Sequence, residues 1–167
     1  MKRSRQLQPL SREHHAGLVV ASRIERGLGL GADPTVIAAY ALSIWEQWLE
    51  PHFAMEEALL PPLLERIPGD VTLLRRLLRE HEEFTGPVAR LRAGEDLART
   101  LRGFAWALRE HIRFEEREML PALEFSLDEE GLARIDEALH GRHAQPDTGW
   151  PVKFWEKDET SSGAEAG

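Results

Sequence analysis

Apolar residues recur along most of this chain at three- and four-residue spacing, and runs of strict alternation are missing. That period gathers apolar side chains on one face of a helix, so the pattern predicts an all-α fold. A first helix is expected from Ser11, a good N-cap, to about Gly29. Asp33 before Pro34 marks a second, because a capping carboxylate precedes a proline at a position that needs no N–H. This helix is expected to reach about Ile67, kinked by Pro51 and ended by Pro68-Gly69. A third, capped by Asp70, runs to about Ala93 and is disturbed at Gly86-Pro87. A fourth runs from about Glu95 to Phe125. Ser126 with Glu129 reads as a capping box for a short fifth helix ending near His140. Long helices with short connections favour antiparallel neighbours, hence an up-down-up-down four-helix bundle with a short C-terminal helix and tail. Residues 1–143 are assigned to the bundle and 144–167 to the tail, partly disordered from Asp158 onward, where the chain is small and polar.

At 167 residues the chain suits one domain with a full hydrophobic core. It has no cysteine, which excludes disulfides, thiolate metal sites and cysteine nucleophiles. Any metal must be held by nitrogen and oxygen. The formal charge of −8 argues against nucleic acid as a partner, since phosphate binding needs clustered basic charge. The N-terminus lacks a signal-peptide core and no apolar run is long enough to span a bilayer, so no membrane association and a cytoplasmic location are expected.

The chain also repeats itself. HFAMEEALLPPLLE from His52 aligns with HIRFEEREMLPALE from His111, an offset of 59, and Arg12-Glu13-His14 recurs as Arg79-Glu80-His81. Helices one and two therefore resemble helices three and four, and two half-sites would meet at the centre. The repeat selects His14 over His15 as the inward histidine, and periodicity agrees, since His14 shares a face with Leu10, Leu18, Ala21 and Leu28. His52 with Glu56, and His111 with Glu115, are four apart and project from one helix face. The expected inward set is His14, His52, Glu56, His81, His111 and Glu115.

Each buried polar group without a partner costs roughly 1–3 kcal/mol. Six of them would approach the net stability of a domain, about 5–15 kcal/mol, so a compensating cation is the simpler account. Imidazole with carboxylate suits iron, manganese or zinc better than calcium or magnesium. The count suggests two metals, each with two histidines, sharing both carboxylates and one bridging oxo or hydroxo group. That leaves an open position on each for a small molecule.

The order His, His-x-x-x-Glu, His, His-x-x-x-Glu, spanning about Ser11 to Phe125, resembles the hemerythrin-like (HHE cation-binding) family. The resemblance implies two non-haem iron ions bridged by carboxylates, with zinc or manganese as lesser candidates, held by His14, His52, Glu56, His81, His111 and Glu115. It implies a small diatomic ligand or peroxide as the molecule bound or turned over. Oxygen-carrying hemerythrins have a fifth histidine four residues after the third-helix histidine; here that residue is Thr85. The set is therefore more similar to bacterial di-iron proteins concerned with nitric oxide, peroxide and iron–sulfur repair. Whether the chain is an enzyme stays open. The alternatives are an iron- or oxygen-responsive sensor or interaction module, and a structural metal-binding bundle.

Other residues read more plainly. Glu57 and Glu116 are taken as solvated, with a supporting role for one of them open. His15, His140, His143 and the Arg75, Arg76, Arg79 stretch are taken as surface. Trp45, Trp48 and Trp106 are expected in the core or at its rim. Trp150, Phe154 and Trp155 either pack back onto the bundle or meet a partner, and packing back is preferred because exposed aromatic clusters are uncommon on monomers.

Overall fold

The computed structural model describes residues 3–65, 71–140 and 149–157. The expected helix end at Ile67–Gly69, the Asp70 cap, His143 and the stretch from Asp158 lie outside them. Among the described residues the secondary structure is helical, without strands, in four arms and a short fifth helix, and 149–157 follow as irregular chain. The first arm is α1 (Gln8–Gly29). The second comprises α2 (Pro34–Ile44), a π-helical turn at Trp45–Leu49, α3 (Glu50–Leu59) and α4 (Pro61–Leu64). The third is α5 (Val71–Glu83) with α6 (Thr85–Ala93). The fourth is α7 (Leu97–Phe114), a second π-helical turn at Glu115–Met119, and α8 (Leu120–Ser126). The chain then forms α9 (Glu129–Leu139).

Two apolar clusters fill the bundle, and the order in which the arms meet them gives the topology. The first arm runs from Leu7 and Leu10 in one cluster to Val20 and Ile24 in the other. The second runs back, from Ile37 and Ile44 to Leu60 and Leu64. The third repeats the first direction, from Leu77 to Phe84 and Leu91, and the fourth reverses it, from Leu101 and Phe104 to Leu120 and Leu123. Up, down, up and down is the expected bundle. The four inward histidines sit on their arms where each passes from one cluster to the other. A polar layer is thus sealed by apolar packing above and below.

Prolines account for the irregular points. Pro51 has no N–H, and its ring would press on the carbonyl four residues back. The arm absorbs this by widening: the Glu50 N–H donates to the Trp45 carbonyl, five residues back. The same device, not expected from sequence, precedes Pro121, where the Leu120 N–H donates to the Glu115 carbonyl. The third arm breaks at Phe84, directly after the Glu83 carbonyl that the Pro87 ring would strike. Gly94 then ends α6 at φ 72°, a left-handed cap that glycine takes at little cost.

Three expectations need correction. Helix α1 begins at Gln8 rather than Ser11, because Pro9 is preorganised for the first turn, and the Ser11 hydroxyl instead donates to Glu116 at 2.7 Å. Ser126 is the last residue of α8, so it cannot pair with Glu129 in a capping box; Asp128 caps α9, accepting from the Gly131 N–H at 2.9 Å. Trp45 and Trp48 are buried, but Trp106 lies 65% exposed on the outer face of α7.

The aromatic tail packs back. Phe154 is buried against Gly27 of α1, whose missing side chain leaves the space its ring occupies. Tyr40 is surrounded by Trp150, Phe154 and Trp155 at ring separations of 5.4, 5.2 and 5.8 Å. The Arg23 guanidinium lies 4.2 Å over Trp155. Among the described residues no helix is long and apolar enough to cross a membrane.

Candidate metal centre

Each arm contributes to the polar layer: His14 from α1, His52 and Glu56 from α3, His81 from α5, His111 from α7 and Glu115 from the π-helical turn that follows it. All six are buried, Glu56 and Glu115 completely. They fall into two sets of four, His14 with His52 and His81 with His111, each completed by both glutamates. Within a set, one ligand atom from each residue lies within 4.8 Å of the others. Atoms bound to one metal at about 2.1 Å would lie about 3 Å apart when adjacent and about 4.2 Å when opposite, which this spacing accommodates.

Glu56 shows the sharing most directly. Its Oε1 lies 3.1 Å from His52 Nε2 and its Oε2 lies 3.3 Å from His81 Nε2, one oxygen toward each set. Glu115 Oε2 lies 3.0 Å from His14 Nε2 and 3.5 Å from His111 Nε2. Close as these atoms are, Nε2 of His14, His81 and His111 and all four oxygens of Glu56 and Glu115 lack hydrogen bonds of acceptable geometry. Buried polar atoms are nearly always paired, so seven orphans converging on one place fit a cation site.

The other imidazole nitrogens are all anchored. His52 Nδ1 lies 2.8 Å from Glu13, His81 Nδ1 2.9 Å from Glu57, His111 Nδ1 3.0 Å from Glu80 and His14 Nδ1 2.7 Å from Glu116. Each carboxylate comes from the arm preceding its histidine, and the fourth arm serves the first, so the contacts close into a ring. Such a bond holds the ring nitrogen as a donor, orients the imidazole and leaves Nε2 free to bind metal.

Glu57 and Glu116, expected to be solvated with a supporting role open for one of them, each anchor a histidine. Glu13 and Glu80 anchor the other two, and sequence reasoning does not single them out. The repeat contained the signal, because its Arg-Glu-His unit includes both. Each, however, serves a histidine on another arm rather than its own neighbour in sequence.

Charge reinforces the layer. Burial disfavours a proton on His14 and on His52, but Glu115 beside the first and Glu56 and Glu13 beside the second outweigh it. His14 is raised well above its ordinary range and His52 to about 10. His81 is raised in the same way, burial being overcome by Glu56 and Glu57. Burial likewise works against the charge of Glu116, yet His14, Ser11 and Arg3 hold its pKa at about 2. Protons on these imidazoles compensate the two buried carboxylates in the absence of metal, the role a cation takes when bound.

A family model, Hemerythrin HHE cation binding domain, matches residues 7–123, the four arms and all six inward residues. The chain belongs to the hemerythrin HHE cation-binding family. No curated protein and no solved structure matches it. As a member of this family the chain is a helical metal-binding domain, and the buried histidine–glutamate cluster is where its fold offers a cation site. Thr85, in place of a fifth histidine, is exposed at the start of α6, its hydroxyl donating to the Glu82 carbonyl at 2.8 Å.

Proposed function

We propose that this HHE-family protein holds two non-haem iron ions and uses them to bind or react with dioxygen, nitric oxide or peroxide. The observation that carries the reading is the pair of overlapping four-residue sets sharing Glu56 and Glu115. The hard-to-borderline nitrogen and oxygen donors suit iron. Bound there, an iron pair supplies redox electrons and open positions for a small molecule.

The chain's own residues do the rest. His14, His52, His81 and His111 would each offer Nε2 to a bound cation while Nδ1 stays fixed by its carboxylate. Glu56 and Glu115, which belong to both sets, would be shared between two ions. Phe53 stacks on His81 at a ring separation of 4.0 Å, and Trp48 on His52 at 5.7 Å, walling the donors with apolar surface. The two apolar clusters exclude bulk water from both ends of the layer, which strengthens every charge interaction inside it.

The test is metal content per chain with an absorption spectrum, on protein produced with iron supplied and purified without metal-affinity resin. About two irons per chain with the near-ultraviolet absorption of a bridged pair is the expected result, following the two shared donor sets. A folded protein that carries zinc or no metal, and that iron cannot load, would overturn the redox reading.

A further inference from the structure

The internal repeat makes the centre nearly two-fold, so both halves should open to the surface in the same way. They do not. A groove of about 420 Å³ runs between α3 and the third arm, lined by Trp45, Phe53, Ala54, Glu57, His81 and Thr85 among others. A second, of about 370 Å³, runs between α1 and the fourth arm, lined by Leu18, Arg109, Ile112, Arg113, Glu116 and Arg117 among others. The repeat relates them: the offset of 59 carries Phe53 to Ile112, Ala54 to Arg113 and Glu57 to Glu116, and the offset of 67 carries Leu18 to Thr85.

Three differences separate these twins. His81 itself lines the first groove, whereas its counterpart His14 is not among the residues lining the second. Small side chains, Ala54 and Thr85, stand in the first where Arg113 and Leu18 stand in the second. The carboxylates at the two floors are also held differently. Glu116 is tied to Ser11 at 2.7 Å and to Arg3 at 2.9 Å as well as to His14, and its side chain is 28% exposed. Glu57 bonds His81 and its side chain is 45% exposed. On one side the anchoring carboxylate is tied down by the N-terminal segment, and Arg109, Arg113 and Arg117 line the groove. On the other, His81, whose Nε2 is among the orphaned atoms, itself lines the groove.

Charge narrows what can use the open side. Glu50, Glu57 and Glu82 line it, so a small anion is repelled at its mouth while an uncharged molecule is not. The groove has room for a diatomic beside His81, being many times the roughly 10–15 Å³ that one water needs; the second groove, at about 370 Å³, differs from it in lining rather than in size.

We infer that small uncharged molecules reach the centre through the groove beside His81 and Thr85, and that the equivalent face beside Glu116 is closed to them. This rests on the functional reading above. The test uses the full-length iron-loaded protein, reduced and free of oxygen, with nitric oxide as probe and the absorption change followed by rapid mixing. Thr85→Trp and Ala54→Trp, both at exposed positions, plug the open groove from opposite walls. Leu18→Trp is the repeat-related control. Each of the first two is expected to slow nitric oxide binding by about tenfold, equivalent to a barrier raised by ~1.4 kcal/mol, with iron content and final spectrum unchanged. Leu18→Trp is expected to leave the rate unaltered. Slowing by Leu18→Trp alone, or equal rates in all variants, would overturn the inference. Iron-loaded unaltered protein whose spectrum does not respond to nitric oxide would instead refute the functional reading, and the access route with it.

Discussion

Replacing Glu13 by alanine isolates one link of the carboxylate ring without touching a proposed metal donor. Glu13 is only 8% exposed and its Oε2 lies 2.8 Å from His52 Nδ1. Removing it leaves a buried imidazole N–H without its acceptor, a loss of roughly 1–3 kcal/mol. It also frees the ring to rotate away from the metal position. Loss of such an anchoring group weakens metal binding by about 10- to 100-fold. At 1.36 kcal/mol per decade this is ~1.4–2.7 kcal/mol, consistent with the hydrogen-bond figure. Glu57→Ala is the internal comparison. Because the Glu57 side chain is 45% exposed, water can take its place at His81 Nδ1, and a loss of about tenfold or less is expected. Competition with a chromophoric chelator measures both affinities, and thermal melts followed by circular dichroism establish that the variants are folded. A folded Glu13→Ala protein that holds metal as tightly as the unaltered chain would refute the anchoring argument.

Glu56→Ala should lose both metal equivalents together, because Glu56 completes both donor sets; a variant that keeps two metals would contradict the sharing. Metal uptake should release protons, as a pH indicator in weak buffer can show. The His52 pKa is raised from 6.5 to about 10, so freeing its nitrogen at pH 7 costs about 4 kcal/mol, and affinity should fall with pH. The linkage in metal-free protein has the opposite sense: the His52 contribution to stability is complete below pH 6.5 and lost as pH rises through about 10, which melts across that range would register. Gly27→Ala would place a methyl group against the Phe154 ring and 3.2 Å from Ile37 Cδ1. It should destabilise the fold by about 1–3 kcal/mol and shift tryptophan emission as the tail is displaced; an unchanged melt and spectrum would show that the contact is dispensable.

The bundle and its polar centre were legible in residue spacing along the chain, for a local reason. Helical period, caps and prolines act within a few residues, and four-residue spacing puts His52 beside Glu56 and His111 beside Glu115 whatever else the chain does. The repeat added the pairing of halves and chose His14 over His15. What lies between arms came from their packing. Glu13 and Glu80 look, on their own helices, like ordinary acids next to a histidine. Only packing shows that each reaches a histidine on the following arm and that the four contacts close into a ring. The π-helical turn at Glu115 was equally hidden, because widening a turn before Pro121 depends on how the arm continues. The difference between the two grooves was hidden in part. The aligned repeat already sets Ala54 and Thr85 against Arg113 and Leu18, but that His81 lines its groove, and that Arg3 lands more than a hundred residues along the chain on Glu116 and Glu124, is visible only in the packing. Spacing along a helix is a property of the covalent chain, whereas contact between helices is set by their register, which no single helix contains.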